Sequence, residues 1–91
     1  MKLVQPTDFE ILETLAQTGG RNVAANIAQQ LNKDRSYINT RFSKLVKYDL
    51  VERVGPSDQS GLYDLTDRGQ RALEHRDEYD NADDFESLVS A

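Results

Sequence analysis

Between Ala24 and Val51 the chain reads AANIAQQLNKDRSYINTRFSKLVKYDLV, two apolar stripes at helical spacing separated by a short polar joint. Ala24, Ile27, Ala28 and Leu31 recur at i, i+3, i+4 and i+7, which puts all four on one face of a helix. Ile38, Phe42 and Leu45 do the same for a second helix over residues 35–48. Asn32, Lys33 and Asp34 form the joint, and Asp34 stands where a side chain caps the helix that follows. Two short helices joined this tightly must cross steeply, the arrangement of a helix-turn-helix.

The flanks are patterned in the same way. Thr7 and Glu10 have capping-box spacing just after Pro6 and predict a helix entry. That helix runs to about Gln17 with Phe9, Leu12, Leu15 and Ala16 as its buried stripe, Ile11 beside it, and Gly19-Gly20 as its stop. Asn22 is placed to cap the next helix, and Asp49 suits the left-handed conformation that often ends one. Residues 50–54 and 61–65 are short runs of β-forming residues around the loop sequence Gly55-Pro56-Ser57-Asp58-Gln59-Ser60, which predicts a hairpin. Thr66 then caps a fourth helix with Ala72, Leu73 and Tyr79 as apolar contacts, and Gly69 in its first turn implies close packing. From Asp77 onward there are six acidic residues and no basic one, so 77–91 is expected to be an acidic tail that frays or forms a short helix through Phe85, Leu88 and Val89.

Length and charge sharpen this picture. Ninety-one residues make one domain with a modest core, so function lives on one surface. The net charge is −5, which on its own speaks against a polyanionic partner. Its distribution reverses that: Lys33 to Arg53 holds six basic and three acidic residues, whereas residues 54–91 hold three basic and ten acidic. The positive field coincides with the second helix of the motif. Asp outnumbers Glu ten to six and Arg outnumbers Lys seven to four, a bias that fits a salty cytoplasm, where phosphate contacts lose affinity and base contacts matter more.

The order of three helices, hairpin and helix resembles a winged helix-turn-helix domain over roughly residues 7 to 76. Ile27-Ala28, Leu31, Ile38, Leu45 and Leu50-Val51 match the apolar frame around the turn and recognition helix of such domains. Leu62-Tyr63-Asp64-Leu65-Thr66-Asp67-Arg68-Gly69 is similar to the run that closes the wing in MarR-like and PadR-like regulators. Asp34-Arg35-Ser36-Tyr37-Ile38-Asn39-Thr40-Arg41 and the acidic composition resemble the phage phi-H repressor-like regulators of haloarchaea. The chain departs from the pattern at Asp49, where Gly is common, and in a wing tip without Lys or Arg. The resemblance implies a mainly α fold with a three-helix core, a two-stranded wing and a C-terminal helix, with residues 1–76 as the domain. It also implies a regulator of transcription, a repressor by family.

At about 100° per residue, with Ile38, Phe42 and Leu45 inward, Ser36, Thr40, Ser43 and Lys47 point away from the core, flanked by Tyr37, Asn39, Arg41 and Lys44. Small hydroxyl residues allow close approach to a groove floor, Asn39 can pair with an adenine edge, and Arg35 or Arg41 can make a two-pronged contact to guanine. Lys44 and Lys47 are better placed for phosphates, and Arg53 on the first wing strand can reach a phosphate or the minor groove. The expected partner is double-stranded DNA, read in the major groove.

Other chemistries find little support. There is no cysteine, and the single histidine, His75, has no second histidine for a metal pair. The carboxylates lack catalytic or EF-hand spacing, and no Gly-rich loop is built for phosphate. We therefore expect no enzyme activity, metal, cofactor or small-molecule substrate. No stretch approaches the roughly 20 apolar residues of a membrane span, and the N-terminus lacks a signal-peptide pattern, so a cytoplasmic protein is expected. The rival reading is a winged helix that binds protein and not DNA, favoured by the net acidity, the acidic Asp58 at the wing tip, and Phe85, Leu88 and Val89 beyond the domain. A homodimer through the fourth helix and tail is compatible with DNA binding and would read a palindrome.

Overall fold

A computed structural model describes residues 1–18, 21–55, 61–81 and 84–90. In order it has α1 (Thr7–Gln17), β1 (Arg21–Val23), α2 (Ala24–Leu31), α3 (Arg35–Lys47), β2 (Val51–Val54), β3 (Leu62–Leu65), α4 (Asp67–Glu74) and α5 (Phe85–Val89), with a 3₁₀ turn at Arg76–Glu78. The expected stop at Gly19-Gly20 and the wing tip at 56–60 lie outside the described residues.

The helical stripes are buried as their spacing predicts. Phe9, Ile11, Leu12 and Leu15 of α1, Ala24, Ile27 and Ala28 of α2, and Ile38, Phe42 and Leu45 of α3 share one core with Leu50, Val51 and Ala72. Leu31 is only half-buried and Ala16 is exposed, because the α1 stripe runs through Ile11 and not through Ala16.

The two helix ends around α3 use one device. Asn32 (φ 55°) and Asp49 (φ 63°) take the left-handed conformation, which short polar side chains tolerate better than other non-glycine residues. The amides just beyond them fold back five residues, Lys33 N–H to Ala28 O at 2.9 Å and Leu50 N–H to Leu45 O at 3.0 Å. Asp34 caps α3 by accepting from the Tyr37 amide at 3.3 Å.

Two expected caps are absent, for a local reason. Pro6 occupies the N-cap of α1 without a side-chain hydrogen bond, and it is the Asp8 carboxylate that reaches back to the Val4 amide, at 2.8 Å. Asn22 does not cap α2, because Val23 takes that place in extended conformation. Asn22 instead belongs to β1, a strand that the sequence reading did not anticipate. The sheet is three-stranded and antiparallel in the order β1-β3-β2, so the hairpin gains a third strand. Tyr63 stands opposite Asn22 on one side and Arg53 on the other.

The start of α4 rests on the junction of α3 and β2. The Thr66 hydroxyl donates to Asp49 O at 2.7 Å and accepts from the Gly69 amide at 2.9 Å, while the Thr66 amide donates to Leu50 O at 3.2 Å. This brings the α4 backbone so near that a methyl on Gly69 would collide with the Leu50 carbonyl oxygen and lie 2.8 Å from Leu65 Cδ1. Gly69→Ala is therefore expected to cost about 2 to 3 kcal/mol despite alanine's better helix propensity. A urea melt with an unchanged or higher midpoint would show that this junction yields.

Beyond residue 76, the apolar side chains of the described residues pack against the domain. Phe85 and Val89 are buried, and Phe9, Tyr79 and Phe85 meet edge to face with centroids 5.0 to 6.1 Å apart. Tyr79 Oη accepts from the Leu3 amide at 2.8 Å and Arg71 Nε donates to Val89 O at 2.7 Å. The apolar residues that make the tail a candidate dimer contact are thus engaged within the same chain.

Candidate nucleic-acid interface

The outward side of α3 is built from what the core leaves over. With Ile38, Phe42 and Leu45 fully buried, Arg35, Ser36, Tyr37, Asn39, Thr40, Ser43, Lys44 and Lys47 are all exposed. Tyr37 is one of the few exposed large apolar side chains. Thr40 and Ser43 donate their hydroxyls to the carbonyls of Ser36 and Asn39, at 3.0 and 3.2 Å. Their oxygens keep lone pairs free to accept from outside. Arg53 is exposed on β2.

Arg41 departs from the expectation. Its Nε donates to Asp8 Oδ1 at 2.9 Å and its Nη2 to Asp8 Oδ2 at 2.7 Å, a two-pronged pair joining α3 to α1. The Asp8 side chain is fully buried and that of Arg41 is 12% exposed. Hydrogen bonding to Asp8 holds the guanidinium above its ordinary pKa against the opposing effect of burial. A group held in this way is not free to reach a guanine, so Arg41 leaves the set of base-reading candidates and becomes part of the scaffold.

The remaining cations divide by location. Arg68 pairs with Glu86, Arg76 with Glu13, and Arg71 donates to the Val89 carbonyl. Among the described residues, Arg35, Lys44, Lys47 and Arg53 make no ion pair. The charge asymmetry of the sequence is thus sharper in space. Around α4 and α5, Arg68 and Arg76 are paired with carboxylates, while Arg35, Lys44 and Lys47 on α3 and Arg53 on β2 are exposed.

An open cleft of about 400 Å³ adjoins this face, lined by Val23, Ala24, Ala25, Arg35, Asn39, Gly61 and Tyr63. A second, of about 460 Å³, lies between α4 and β2 and is lined by Asp49, Glu52 and Asp67 with Arg68 and Arg71. Among the described residues no group of three or more His, Asp or Glu is arranged to hold a metal ion. His75 Nδ1 lies 2.8 Å from Glu78 on the surface. No helix among the described residues is long and apolar enough to cross a membrane.

Residues 4–69 match the family model of the winged helix DNA-binding domain, and the chain belongs to that family. No curated protein and no solved structure matches it. The three-helix core, the three-stranded sheet and the polar α3 face are the winged form of a helix-turn-helix, and DNA is the partner class that the family defines.

Proposed function

We propose that the protein is a sequence-specific transcription regulator that lays α3 in the major groove of double-stranded DNA and represses by occluding a promoter. The observation that carries this reading is the outward face of α3, small and polar at its centre and edged by Arg35, Lys44 and Lys47, cations with no partner among the described residues. Arg35 and Asn39 serve as base readers, with Ser36, Tyr37 and Thr40 close enough to contribute. Lys44, Lys47 and Arg53 hold phosphates. Repression is supported by the likeness to repressor families, and a halophilic, archaeal setting by the Asp-rich and Arg-rich composition.

The test is an anisotropy titration against a labelled pool of random duplexes at low and molar salt, with sequencing of the bound fraction. Enrichment of a defined motif that persists at molar salt is expected, and a palindrome would add a dimer. On the enriched duplex, Asn39→Ala should weaken binding by about 1 to 3 kcal/mol, and by much less on unrelated sequence. Lys47→Ala should weaken all duplexes alike and lower the salt slope by about one. Binding without enrichment would reduce the role to nonspecific packaging of DNA. No binding at either salt would favour a protein partner for this face.

A further inference from the structure

We infer that Tyr37 makes α3 selective for thymine, its exposed ring packing against the 5-methyl group of that base in the major groove. This rests on the DNA-binding reading above and adds to it the base that the helix selects.

Among the described residues, Val4 and Tyr37 are the large apolar side chains that remain exposed, at 38% and 39%. Val4 lies ahead of α1, whereas Tyr37 stands in the first turn of α3, the end of a recognition helix that meets base edges. Its backbone is fixed there, because the Asp34 cap accepts from the Tyr37 amide at 3.3 Å. Its ring has a fixed neighbour as well. Arg41 follows one turn later, within electrostatic range of the phenol, and is held by the two-pronged bond to Asp8. Bordered by a fixed guanidinium, the ring has less freedom to lose on binding than an isolated surface side chain.

The residues around it leave the ring standing clear. Ser36 and Thr40 are small, and Thr40, at i+3, donates its hydroxyl to Ser36 O at 3.0 Å. Ser43 does the same to Asn39 O at 3.2 Å. With those protons committed to the helix, both oxygens can only accept. Beside an apolar ring, α3 thus presents hydrogen-bond acceptors. An A·T pair shows the matching edge, a thymine methyl and an adenine amino donor, whereas a G·C pair shows an amino donor and no methyl. The ring is the part of this edge that tells the two apart. Lys44, at i+7 from Tyr37 on the same side of α3, is exposed and supplies a cation for the phosphate beyond the base. An apolar contact also suits a salty cytoplasm, because it releases no counterion and is not weakened by screening.

The experiment takes the motif enriched from the random duplex pool and replaces each thymine in turn by deoxyuridine, which removes the 5-methyl group and changes no hydrogen bond. Wild type, Tyr37→Phe and Tyr37→Ala are titrated against each duplex at low and molar salt, with a melting curve for each protein. At one thymine or more, the wild type should lose about fourfold in affinity when the methyl is removed, the worth of one buried methyl group. That ratio should persist at molar salt and in Tyr37→Phe, and fall to about one in Tyr37→Ala, whose salt slope stays that of the wild type. Both variants should melt like the wild type, because the ring is exposed and the cap at Asp34 uses the backbone amide. The ratio compares two duplexes on one protein, so it is readable even where a variant is partly unfolded. An enriched motif without thymine, or equal wild-type affinity for every deoxyuridine duplex, would overturn the inference and leave the DNA-binding reading standing. A ratio that survives Tyr37→Ala would overturn it too, by giving the methyl to another side chain. Loss of the ratio in Tyr37→Phe would overturn it by making the hydroxyl the reading group. Binding without an enriched motif, or no binding at either salt, would overturn both readings.

Discussion

Replacing Arg41 by alanine is expected to lower the unfolding free energy by about 3 to 5 kcal/mol, because it leaves the Asp8 carboxylate buried with no cation beside it. Asp8 is fully buried, and among the described residues the Val4 amide is the one other donor to its carboxylate. A single neutral donor does not offset the desolvation of a carboxylate. For a domain of this size, with a total stability of about 5 to 10 kcal/mol, such a loss leaves a chain close to its threshold. Urea unfolding followed by circular dichroism measures it directly. Arg41→Lys should recover only part of the loss, since an ammonium cannot reproduce two parallel N–H···O bonds.

The companion variant separates scaffold from recognition. Asp8→Leu with Arg41→Met removes both charges and both desolvation penalties, so it should be markedly more stable than Arg41→Ala even though Val4 loses its acceptor. If Arg41 served DNA directly, Arg41→Ala would melt like the wild type and lose discrimination between sequences. The paired geometry predicts the reverse: a large fall in stability, with sequence preference preserved in whatever fraction stays folded.

The position of Arg41 shows where a periodicity argument loses resolution. It lies three residues after Ile38 and four before Leu45, at the edge of the buried sector, where helical spacing alone leaves the direction of the side chain open. The partner, however, is Asp8, 33 residues away on α1, and no local pattern links the two. The helix-turn-helix frame was legible for the opposite reason. Its stripes, the Asp34 cap, the Thr66 cap and the left-handed Asp49 are all set within one or two turns of chain. β1 was hidden because Arg-Asn-Val offers one apolar residue and no alternation, and its strand character comes from pairing with β3. The C-terminal segment reads as a solvated tail by its charge count, yet three aromatic rings and two arginines decide its placement. Helical spacing identified the exposed face of α3, whereas the stacking of Tyr63 on Phe42 joins residues 21 positions apart and has no local signal.

Phe42→Ala should be as damaging as the loss of Arg41, by a different route. Phe42 is completely buried, and truncating a core phenylalanine costs about 3 to 5 kcal/mol through lost transfer energy and the cavity left behind. The site has little freedom to collapse, because Ile38 and Leu45 on the same inner face of α3, and Leu50 just beyond the helix end, are each also fully buried. The stack on Tyr63 adds to the loss, since an aromatic pair contributes about 0.5 to 1.5 kcal/mol beyond its buried area. Phe42→Leu fills most of the volume but forfeits the stack, and should cost about 1 to 2 kcal/mol. The two variants together divide packing from ring contact. A melting curve for Phe42→Ala that matches the wild type would mean that α3 presents a different face to the core. The assignment of every outward residue on that helix would then rotate with it.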